Sequence, residues 1–305
     1  MSFLFVLLRI SPGGSVQKYL SPQLSPHLAE RVRESFNLNE SIAEQYKAFL
    51  LNAVQGDFGI SYNYMQPVNE VLWQHVPFTL FLAFTGMFVQ ILFGFLLAVA
   101  AVKKMHGLAD KFLSRFSLMM YSIPSFVVGV FLIYLFSSTF NIFPSSGLKS
   151  YNHYSYSFWG KIQDYIVHLV LPVVTITFGG IAVYFKYLRD NLEEIYNKTF
   201  VTYLRANGFT EKEILLKHVI PNAVNPLISV AGVELGILFG GALITEVIFG
   251  LPGMGRLTIN AILSRDYPLV IGCTFISGVF VILSNIAADL IKVKIDKRLL
   301  AGVIN

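Results

Sequence analysis

The fold is decided by residues 78–102, which read FTLFLAFTGMFVQILFGFLLAVAAV and contain no charged side chain. A helix rises 1.5 Å per residue, so this run covers the roughly 30 Å hydrocarbon core of a bilayer. The whole chain has the same character, since 54% of its 305 residues are hydrophobic, 13% are charged and its mean hydropathy is +0.61. Soluble domains have about 25% charged residues. The sequence therefore predicts an all-α, polytopic membrane protein.

Five apolar stretches are long enough to cross the bilayer as full helices. They are Pro77–Val102, Leu118–Phe140, Tyr165–Phe185, Leu227–Phe249 and Leu269–Ile291. A sixth, MSFLFVLLRI at residues 1–10, covers about 15 Å as a helix and predicts only a partial first span. Five full spans with a cytoplasmic C-terminus would leave Met1 outside. We therefore expect the natural gene product to begin about 20 residues upstream and to complete that span.

Lysine and arginine are distributed over the loops in a way that indicates orientation. They number four in 103–115, six in 186–226 and four in 292–305, against two in 141–164 and two in 250–268. Cytoplasmic loops are enriched in these residues. The first three segments, and with them the C-terminus, are therefore expected in the cytoplasm and the other two outside. The net charge of +5 thus indicates topology rather than nucleic-acid binding.

The same alternation places residues 11–74 outside. Within them, LAERVRESFNLNESIAEQYKAFLLNAV at residues 28–54 has helical spacing with its charges on one side. The predicted organisation is a partial helix at 1–10, an external helical segment at 11–74, a membrane core at 75–291 with a cytoplasmic loop at 186–226, and a cytoplasmic tail at 292–305.

The cytoplasmic loop contains the most polar part of the second half of the chain, YLRANGFTEKEILLKHVIPNAVNPL at residues 203–227. Ala206 and Gly208 are small and predict a break between two short helices. Thr210 followed by Glu213 is a capping-box signal for the second helix. A charged helical element of this length without catalytic residues predicts a docking surface for a cytoplasmic protein rather than a solvated loop.

Three prolines are placed where they should shape the entry into a span. Pro221 and Pro226 are expected to set the turn from the loop into the span that begins at Leu227. Pro124 lacks a backbone donor and is expected to bend the second span near its cytoplasmic end. That bend is compatible with a simple kink or with a hinge that lines a pathway.

A stripe of small residues runs along one span. Gly232, Gly236 and Gly240 recur every four residues and therefore share one face of the helix. Their size lets a neighbouring backbone approach closely. The neighbour can be another helix of this chain or a helix of a second membrane subunit, and the sequence leaves both open.

Four polar side chains within spans are candidates for a pathway or a hinge. Glu234 lies about 200° around its helix from the glycine stripe, and Glu246 returns to within about 40° of that stripe. Asn285 and Asp289 are four residues apart on one face of the last span, where Asp289 has Lys292 as an alternative partner. A carboxylate in a span is costly, so each should face protein or a watery cavity.

The sequence lacks the residue patterns of catalysis, metal binding and nucleotide binding. No histidine belongs to an H-E-x-x-H motif or an i, i+4 pair, and no G-x-S-x-G elbow occurs. GLPGMGRL at residues 250–257 has the glycine spacing of a phosphate loop but lacks its lysine and hydroxyl residue. The single cysteine, Cys273, lies in a span. We therefore predict no catalytic residue, no metal site and no cofactor bound directly.

Two motifs in the loop are separated by twelve residues: Arg205-Ala206-x-Gly208 and Ile220-Pro221-Asn222-Ala223. They occur with other distinctive stretches, which are QGDFGISY (55–62), PVNEVLWQHVPFTLFLA (67–83), SIPSFVVGVFLIYLF (122–136), FPSSG (143–147), ITEVIFGLPGMGRLTINAILSRDYPLV (244–270) and IAADLIKVKIDKRL (286–299). In this order they resemble the dipeptide/oligopeptide/nickel permeases of ATP-binding-cassette (ABC) importers, and the first two motifs resemble the coupling loop of that family.

The resemblance implies a multi-pass subunit of the bacterial cytoplasmic (inner) membrane with the type I ABC importer permease fold. It implies a transport subunit rather than an enzyme, importing di- or oligopeptides. The implied partners are a second permease in a heterodimer, two cytoplasmic ABC ATPases that hydrolyse ATP, and an extracytoplasmic solute-binding protein. The residues that would couple the loop to the ATPases are Arg205, Ala206, Gly208, Glu211, Lys212 and Pro221.

The chain departs from the family pattern at two places. Thr202, Tyr203 and Leu204 stand where the coupling loop commonly has an acidic or polar residue and two small ones. FVLLRISPGG at residues 5–14 resembles only the tail of the family's first span. One alternative is an importer of nickel or another small solute within the same family. Other classes are a stand-alone secondary transporter or channel, which would need a buried ion-coupling network, and an intramembrane enzyme.

Overall fold

Helices form almost all of the regular structure in residues 41–295, the part of the chain that the computed structural model describes. They are α1 (Ile42–Val54), α2 (Val68–Val102), α3 (Leu108–Ser122), α4 (Ser125–Leu132), α5 (Phe158–Tyr196), α6 (Thr199–Ala206), α7 (Glu211–Glu213), α8 (Ile220–Ile248), α9 (Met254–Leu263) and α10 (Tyr267–Ile295). π-Helical turns follow α4 at Ile133–Thr139 and α7 at Ile214–Val219. The predicted partial first span, its upstream extension and the end of the tail lie outside the described residues.

Within residues 41–295, four helices are long and apolar enough to cross a membrane: α2, α5, the continuous helix Glu211–Ile248 and α10. The remaining predicted span, Leu118–Phe140, is a bent pair in which α3 and the helix Ser125–Thr139 meet at 93°. With that pair counted as one span, the prediction of five spans is confirmed. The helices are longer than the apolar runs, because intrahelical hydrogen bonding continues into their polar ends.

The bend between α3 and α4 lies at Pro124, as predicted, but it ends one helix and starts another rather than kinking a single one. Ile123 is extended, with φ −87° and ψ 121°, and Pro124 follows at φ −57° and ψ 136°. A proline disfavours helical geometry in the residue before it, which explains why α3 ends at Ser122. Pro124 then precedes the first residue of α4.

The prolines after the cytoplasmic loop do not form the predicted turn, so that prediction was wrong. Pro221 lies in the first turn of α8 and Pro226 lies inside it, within a helix that runs without interruption from Glu211 to Ile248. The π-helical turn Ile214–Val219 changes the hydrogen-bond register just before Pro221, and the Asn222 side-chain amide donates to the His218 carbonyl at 2.6 Å. Such local adjustments allow a membrane-spanning helix to accommodate proline.

One compact unit consists of residues 41–79 and 252–279 within the described range. It contains α1, the start of α2, α9 and the start of α10. The buried carboxylate of Asp266 accepts a hydrogen bond from the Ser61 hydroxyl at 2.5 Å and another from the Asn63 backbone N–H at 3.1 Å. These bonds hold the turn before α2 against the turn before α10.

A second compact unit consists of residues 80–251 and 280–295 within the described range. Its hydrophobic core joins α2 and α5 to the cytoplasmic loop and α8. Fully buried members are Ala98, Ala101, Leu188, Leu192, Val201, Ile214, Val219 and Ala223. Val201 and Ile214 belong to the loop itself, and burying a side chain of this size contributes about 1.5–3 kcal/mol. The loop is therefore part of the core rather than a solvated segment.

A buried polar cluster in this second unit closes the connection between α4 and α5. The Asp164 carboxylate accepts hydrogen bonds from the backbone N–H of Ser150 at 3.0 Å, from its hydroxyl at 2.6 Å and from His153 Nδ1 at 2.7 Å. His168 Nδ1 donates to the Asp164 carbonyl at 2.7 Å. Sequence spacing alone did not associate these two histidines, because the connection must fold back onto α5 before they meet.

Candidate functional site

The cytoplasmic loop contains two short helices with a sharp break between them. The first is α6, the second is α7, and Gly208 between them has φ +84°. Glycine adopts this left-handed conformation without the steric cost that other residues incur. The Phe209 N–H donates to the Leu204 carbonyl at 3.2 Å, which closes the end of α6. The predicted break at Gly208 is confirmed.

The start of α7 is fixed by the predicted capping box. The Glu213 N–H donates to the Thr210 hydroxyl at 3.3 Å, and the Thr210 N–H donates to the Glu213 carboxylate at 3.1 Å. Two backbone donors at the helix start are thereby satisfied. The direction in which α7 leaves the break is set by these bonds.

Two of the predicted coupling residues pair with each other across the break. Arg205 Nε donates to Glu211 Oε1 at 2.6 Å, and its Nη2 donates to Oε2 at 3.3 Å. The hydrogen bond to this carboxylate raises the pKa of the Arg205 guanidinium. Both side chains are exposed, so the pair adds little to the free energy of unfolding. Its effect is to fix the angle between α6 and α7.

The loop has a buried face and an exposed face. Val201, Ile214 and Val219 are buried, whereas aromatic and aliphatic side chains remain open to solvent on the other side. The large exposed hydrophobic residues of the loop are Phe200, Tyr203, Phe209 and Leu216. The predicted coupling residues Arg205, Ala206, Gly208, Glu211, Lys212 and Pro221 are also exposed. We call the exposed side of residues 199–221 the docking face. Thr202 and Tyr203, where the chain departs from the family pattern, lie on this face.

A buried ion pair that the sequence did not reveal holds the helix leading into the loop. Asp110 of α3 and Arg189 of α5 form two hydrogen bonds, Nε–Oδ1 at 3.0 Å and Nη2–Oδ2 at 2.8 Å. Their side chains are only 3% and 12% exposed. The His106 N–H donates to Asp110 at 2.9 Å, and Arg189 also pairs with Glu193. This cluster joins the α2–α3 connection to the last turns of α5, which continue directly into α6.

The glycine stripe of α8 packs against α10 of the same chain. A Cβ added at Gly232 would collide with the Cβ of Ala288, and one added at Gly236 would lie 3.2 Å from the Ser284 hydroxyl oxygen. The sequence allowed the stripe to pack against another helix of this chain or against a second subunit. For Gly232 and Gly236, the structure shows packing against a helix of this chain. The side-chain environment of Gly240 lies outside the described residues.

A cavity of about 710 Å³ lies between α3, α5 and α8 in the second unit. Its walls are mostly apolar, and its polar members are Ser114, Ser117, Tyr121, Lys186, Tyr187, Ser229 and Glu234. Glu234 is partly buried, and its carboxylate has no hydrogen bond or ion pair with any residue in 41–295. Glu234 is therefore the predicted pathway residue that the structure places at a cavity.

The other pathway or hinge candidates lie elsewhere. Glu246 is fully buried, and Asn285 donates to the Val281 carbonyl at 2.9 Å. Asp289 is exposed and, within the part of the chain that the structure describes, makes no ion pair with Lys292. Pro124 lies at the bend that follows α3. These four are not among the residues that line the cavity with Glu234.

A metal centre would require several His, Cys, Asp or Glu side chains that lie close together. Between residues 41 and 295 no group of three or more His, Cys, Asp or Glu side chains is placed to hold a metal ion. Cys273 is buried.

A known family matches most of the chain. The profile of the family described as binding-protein-dependent transport system inner membrane component matches residues 90–301. The chain belongs to this family. It is an ABC importer permease, a multi-pass membrane subunit whose relatives are transport components.

Relatives of this permease are named for the transport of different solutes. The oligopeptide transport system permease protein AppB of Bacillus subtilis is 31% identical over 296 residues, covering 97% of this chain and 92% of AppB. The nickel import system permease protein NikB of Staphylococcus aureus is 29% identical over 297 residues, covering 96% of this chain and 85% of NikB. The two identities are close, so they establish the family and not the solute.

Solved structures confirm the predicted fold. The methionine ABC transporter MetNI, in an inward-facing conformation, has a chain that matches with a TM-score of 0.59 at 19% identity, covering 74% of this permease and 96% of that chain. An amino acid ABC transporter solved with histidines matches with a TM-score of 0.58 at 16% identity. The permease has the all-α, type I ABC importer permease fold.

Proposed function

We propose that this permease forms part of the translocation pathway of an ATP-driven importer of di- or oligopeptides. In this proposal it pairs with a second permease in the bacterial cytoplasmic membrane. Two cytoplasmic ABC ATPases contact its docking face, and an extracytoplasmic binding protein delivers the solute. The observation that carries the proposal is the two-sided loop, because its inner face is part of the hydrophobic core and its outer face exposes aromatic and charged side chains.

The proposed mechanism is alternating access driven by the partner ATPases. Closure of the ATPases on ATP moves α6 and α7, and the core residues Val201 and Ile214 pass that motion to α5 and α8. The Asp110–Arg189 pair extends the same rigid connection to α3. The permease itself supplies binding and movement, and the energy comes from ATP hydrolysis in the partner subunits.

The choice of peptides over nickel is supported by the cavity and by the relatives. A cavity of about 710 Å³ with mostly apolar walls and a few polar groups is typical of sites for small organic molecules. AppB is an oligopeptide permease. Nickel import is the second candidate, because NikB is similar over nearly the same length.

The coupling proposal is tested by Gly208→Arg, with Gly56→Arg as a matched control. Both glycines have positive φ, +84° and +74°, and a Cβ added at either meets no atom within 4 Å. The two variants therefore impose similar backbone strain, but only Gly208 lies on the docking face. We expect Gly208→Arg to insert normally into the membrane and to lose both ATPase co-purification and peptide uptake. Gly56→Arg should retain both.

The docking role of the loop is tested by expressing each variant with its partner subunits and reconstituting the complexes in vesicles. Equal ATPase recovery and equal uptake in both would refute the docking role of the loop. Uptake of labelled dialanine and of radioactive nickel by the unmodified complex separates the two candidate solutes. Nickel uptake without dialanine uptake would overturn the peptide assignment and leave the coupling role standing.

A further inference from the structure

The cavity between α3, α5 and α8 is lined by a carboxyl group, that of Glu234, which has no partner among the described residues. Glu234 lines it from a helix long enough to cross a membrane. An ionised carboxylate at such a position is costly unless a partner or water compensates it. Among residues 41–295 neither a hydrogen-bond donor nor a cation contacts this carboxylate. When this carboxylate is ionised, the group that compensates it therefore comes from outside the described residues.

The lysine that lines the cavity together with Glu234 already has another ionic partner. Lys186 lines the same cavity, but its ammonium lies 2.8 Å from the Asp190 carboxylate in an exposed i, i+4 pair. The Tyr184 hydroxyl interacts electrostatically with Glu234, yet it is buried and makes no hydrogen bond to any described residue. Glu234 lines the cavity, whereas Tyr184 is not among the lining residues, and neither side chain has a hydrogen-bond partner among the described residues.

We propose that Glu234 is the counter-ion for the amino-terminal ammonium of a peptide that passes through this cavity. This inference rests on the proposed peptide transport and deepens it by assigning the group that recognises the solute's charged end. A primary ammonium supplies both the positive charge and the three donors that a carboxylate accepts. The apolar walls contributed by Leu118, Val183 and Val230 would contact the side chains of the peptide.

The charge of the cavity can be measured in the resting complex, without any transport. Val233 lines the cavity next to Glu234 and is 51% exposed, so Val233→Cys supplies a reactive thiol there. The only native cysteine, Cys273, is buried and gives little background. The reaction rates of a cationic and an anionic methanethiosulfonate reagent are compared before and after Glu234→Gln is added.

We expect Glu234→Gln to lower the cationic-to-anionic rate ratio at Val233→Cys by about three- to tenfold, the effect of one charge about 6 Å away in a largely aqueous medium. Glu234→Asp keeps the charge and should keep the ratio. Ile282→Cys is the control, since Ile282 is 60% exposed and lies outside the cavity lining. Its ratio should not respond to Glu234→Gln. An unresponsive ratio at Val233→Cys, or a thiol there that does not react, overturns the proposal.

The solute is identified by protection of the same thiol. Dialanine should slow the labelling of Val233→Cys by the cationic reagent, N-acetyl-dialanine should not, and Glu234→Gln should abolish the protection. Protection by nickel chloride with none by dialanine would overturn the ammonium assignment. The rate ratio is measured without ATP and without uptake, so an unresponsive ratio would leave the coupling proposal intact. Conversely, the rate ratio can still be interpreted if the Gly208→Arg test contradicts the coupling proposal.

Discussion

At the residue scale, the glycines of α8 differ in how closely α10 approaches them. At Gly232 an added Cβ would meet the Cβ of Ala288 at a distance that no real pair adopts. At Gly236 the nearest atom to an added Cβ is a hydroxyl oxygen 3.2 Å away, on a side chain that can rotate. The two positions look equivalent in sequence because both belong to one four-residue repeat.

We therefore predict that Gly232→Ala lowers the free energy of unfolding by about 1–3 kcal/mol, because the helices must separate to admit the methyl group. Gly236→Ala should cost less than Gly232→Ala. Gly278→Ala is the control, since a Cβ there meets nothing within 4 Å and alanine favours a helix by about 1 kcal/mol over glycine. Thermal unfolding of the purified subunit in detergent measures all three. Equal melting temperatures for the Gly232 and Gly278 variants would contradict the contact with Ala288.

The role of a single residue could be predicted from the sequence where that role depends only on neighbouring residues. Gly208 and the Thr210–Glu213 box follow from backbone geometry within a few positions, so both could be predicted. The pairing of Asp110 with Arg189 could not be, because the residues are 79 positions apart and meet only after α3 packs on α5. The place of Glu234 at a cavity likewise depends on three helices that are distant in sequence.

Among the elements, α5 is fixed near its C-terminal end by the Asp110–Arg189 pair. Breaking such a buried pair leaves one charge without full compensation, which typically costs 3–5 kcal/mol. Arg189 retains Glu193 and Asp190, which moderates that loss. The end of α5 should therefore loosen rather than unfold when Asp110 loses its charge.

We predict that Asp110→Asn lowers the free energy of unfolding by about 3 kcal/mol and reduces uptake more than ATP hydrolysis, because α6 is then less firmly joined to α3. Glu194→Gln makes the same chemical change in an exposed pair with Lys198. Exposed pairs contribute about 0–1 kcal/mol, so that variant should resemble the unmodified protein. Melting temperature and the ratio of peptide imported to ATP hydrolysed are the measurements. Matching values for the two variants would show that the buried pair has no positioning role.

The helices themselves were largely predictable, and the effects of prolines were not. Length and hydrophobicity sufficed for the spans, since only a helix satisfies its own backbone in lipid. Pro124 ends α3, yet Pro221 and Pro226 lie in an unbroken helix. The difference comes from the neighbouring hydrogen bonds, in particular from the π-helical turn before Pro221. Such a turn cannot be recognised from the amino-acid composition.

At the scale of the whole molecule, the loops can be assigned to the two sides of the membrane. The lysine and arginine counts predict that residues 186–226 face the cytoplasm and residues 141–164 the exterior. Tyr151 is fully exposed in the second segment, and Asn207 is exposed in the first. Both positions are therefore suited to a chemical test of orientation.

We predict that a membrane-impermeant thiol reagent labels Tyr151→Cys in intact cells and labels Asn207→Cys only after the membrane is opened. Each residue lies outside the apolar spans, so the substitutions should not disturb folding. The extent of labelling by a biotinylated reagent is compared before and after permeabilisation. Labelling of Asn207→Cys in intact cells would place the docking face outside and reverse the topology.

In the proposed mechanism, the continuous helix from Glu211 to Ile248 would transmit a motion of the docking face along its whole length. Its 38 residues make it about 57 Å long. A tilt of about 5° at the Glu211 end therefore carries the Ile248 end sideways by about 5 Å, roughly one helical turn. With a turn set by Pro221 and Pro226, as the sequence predicted, the motion would not be transmitted along one straight axis. The same continuity limits the design of chimeric permeases, because a loop exchanged at Pro221 would interrupt this helix about a third of the way along its length.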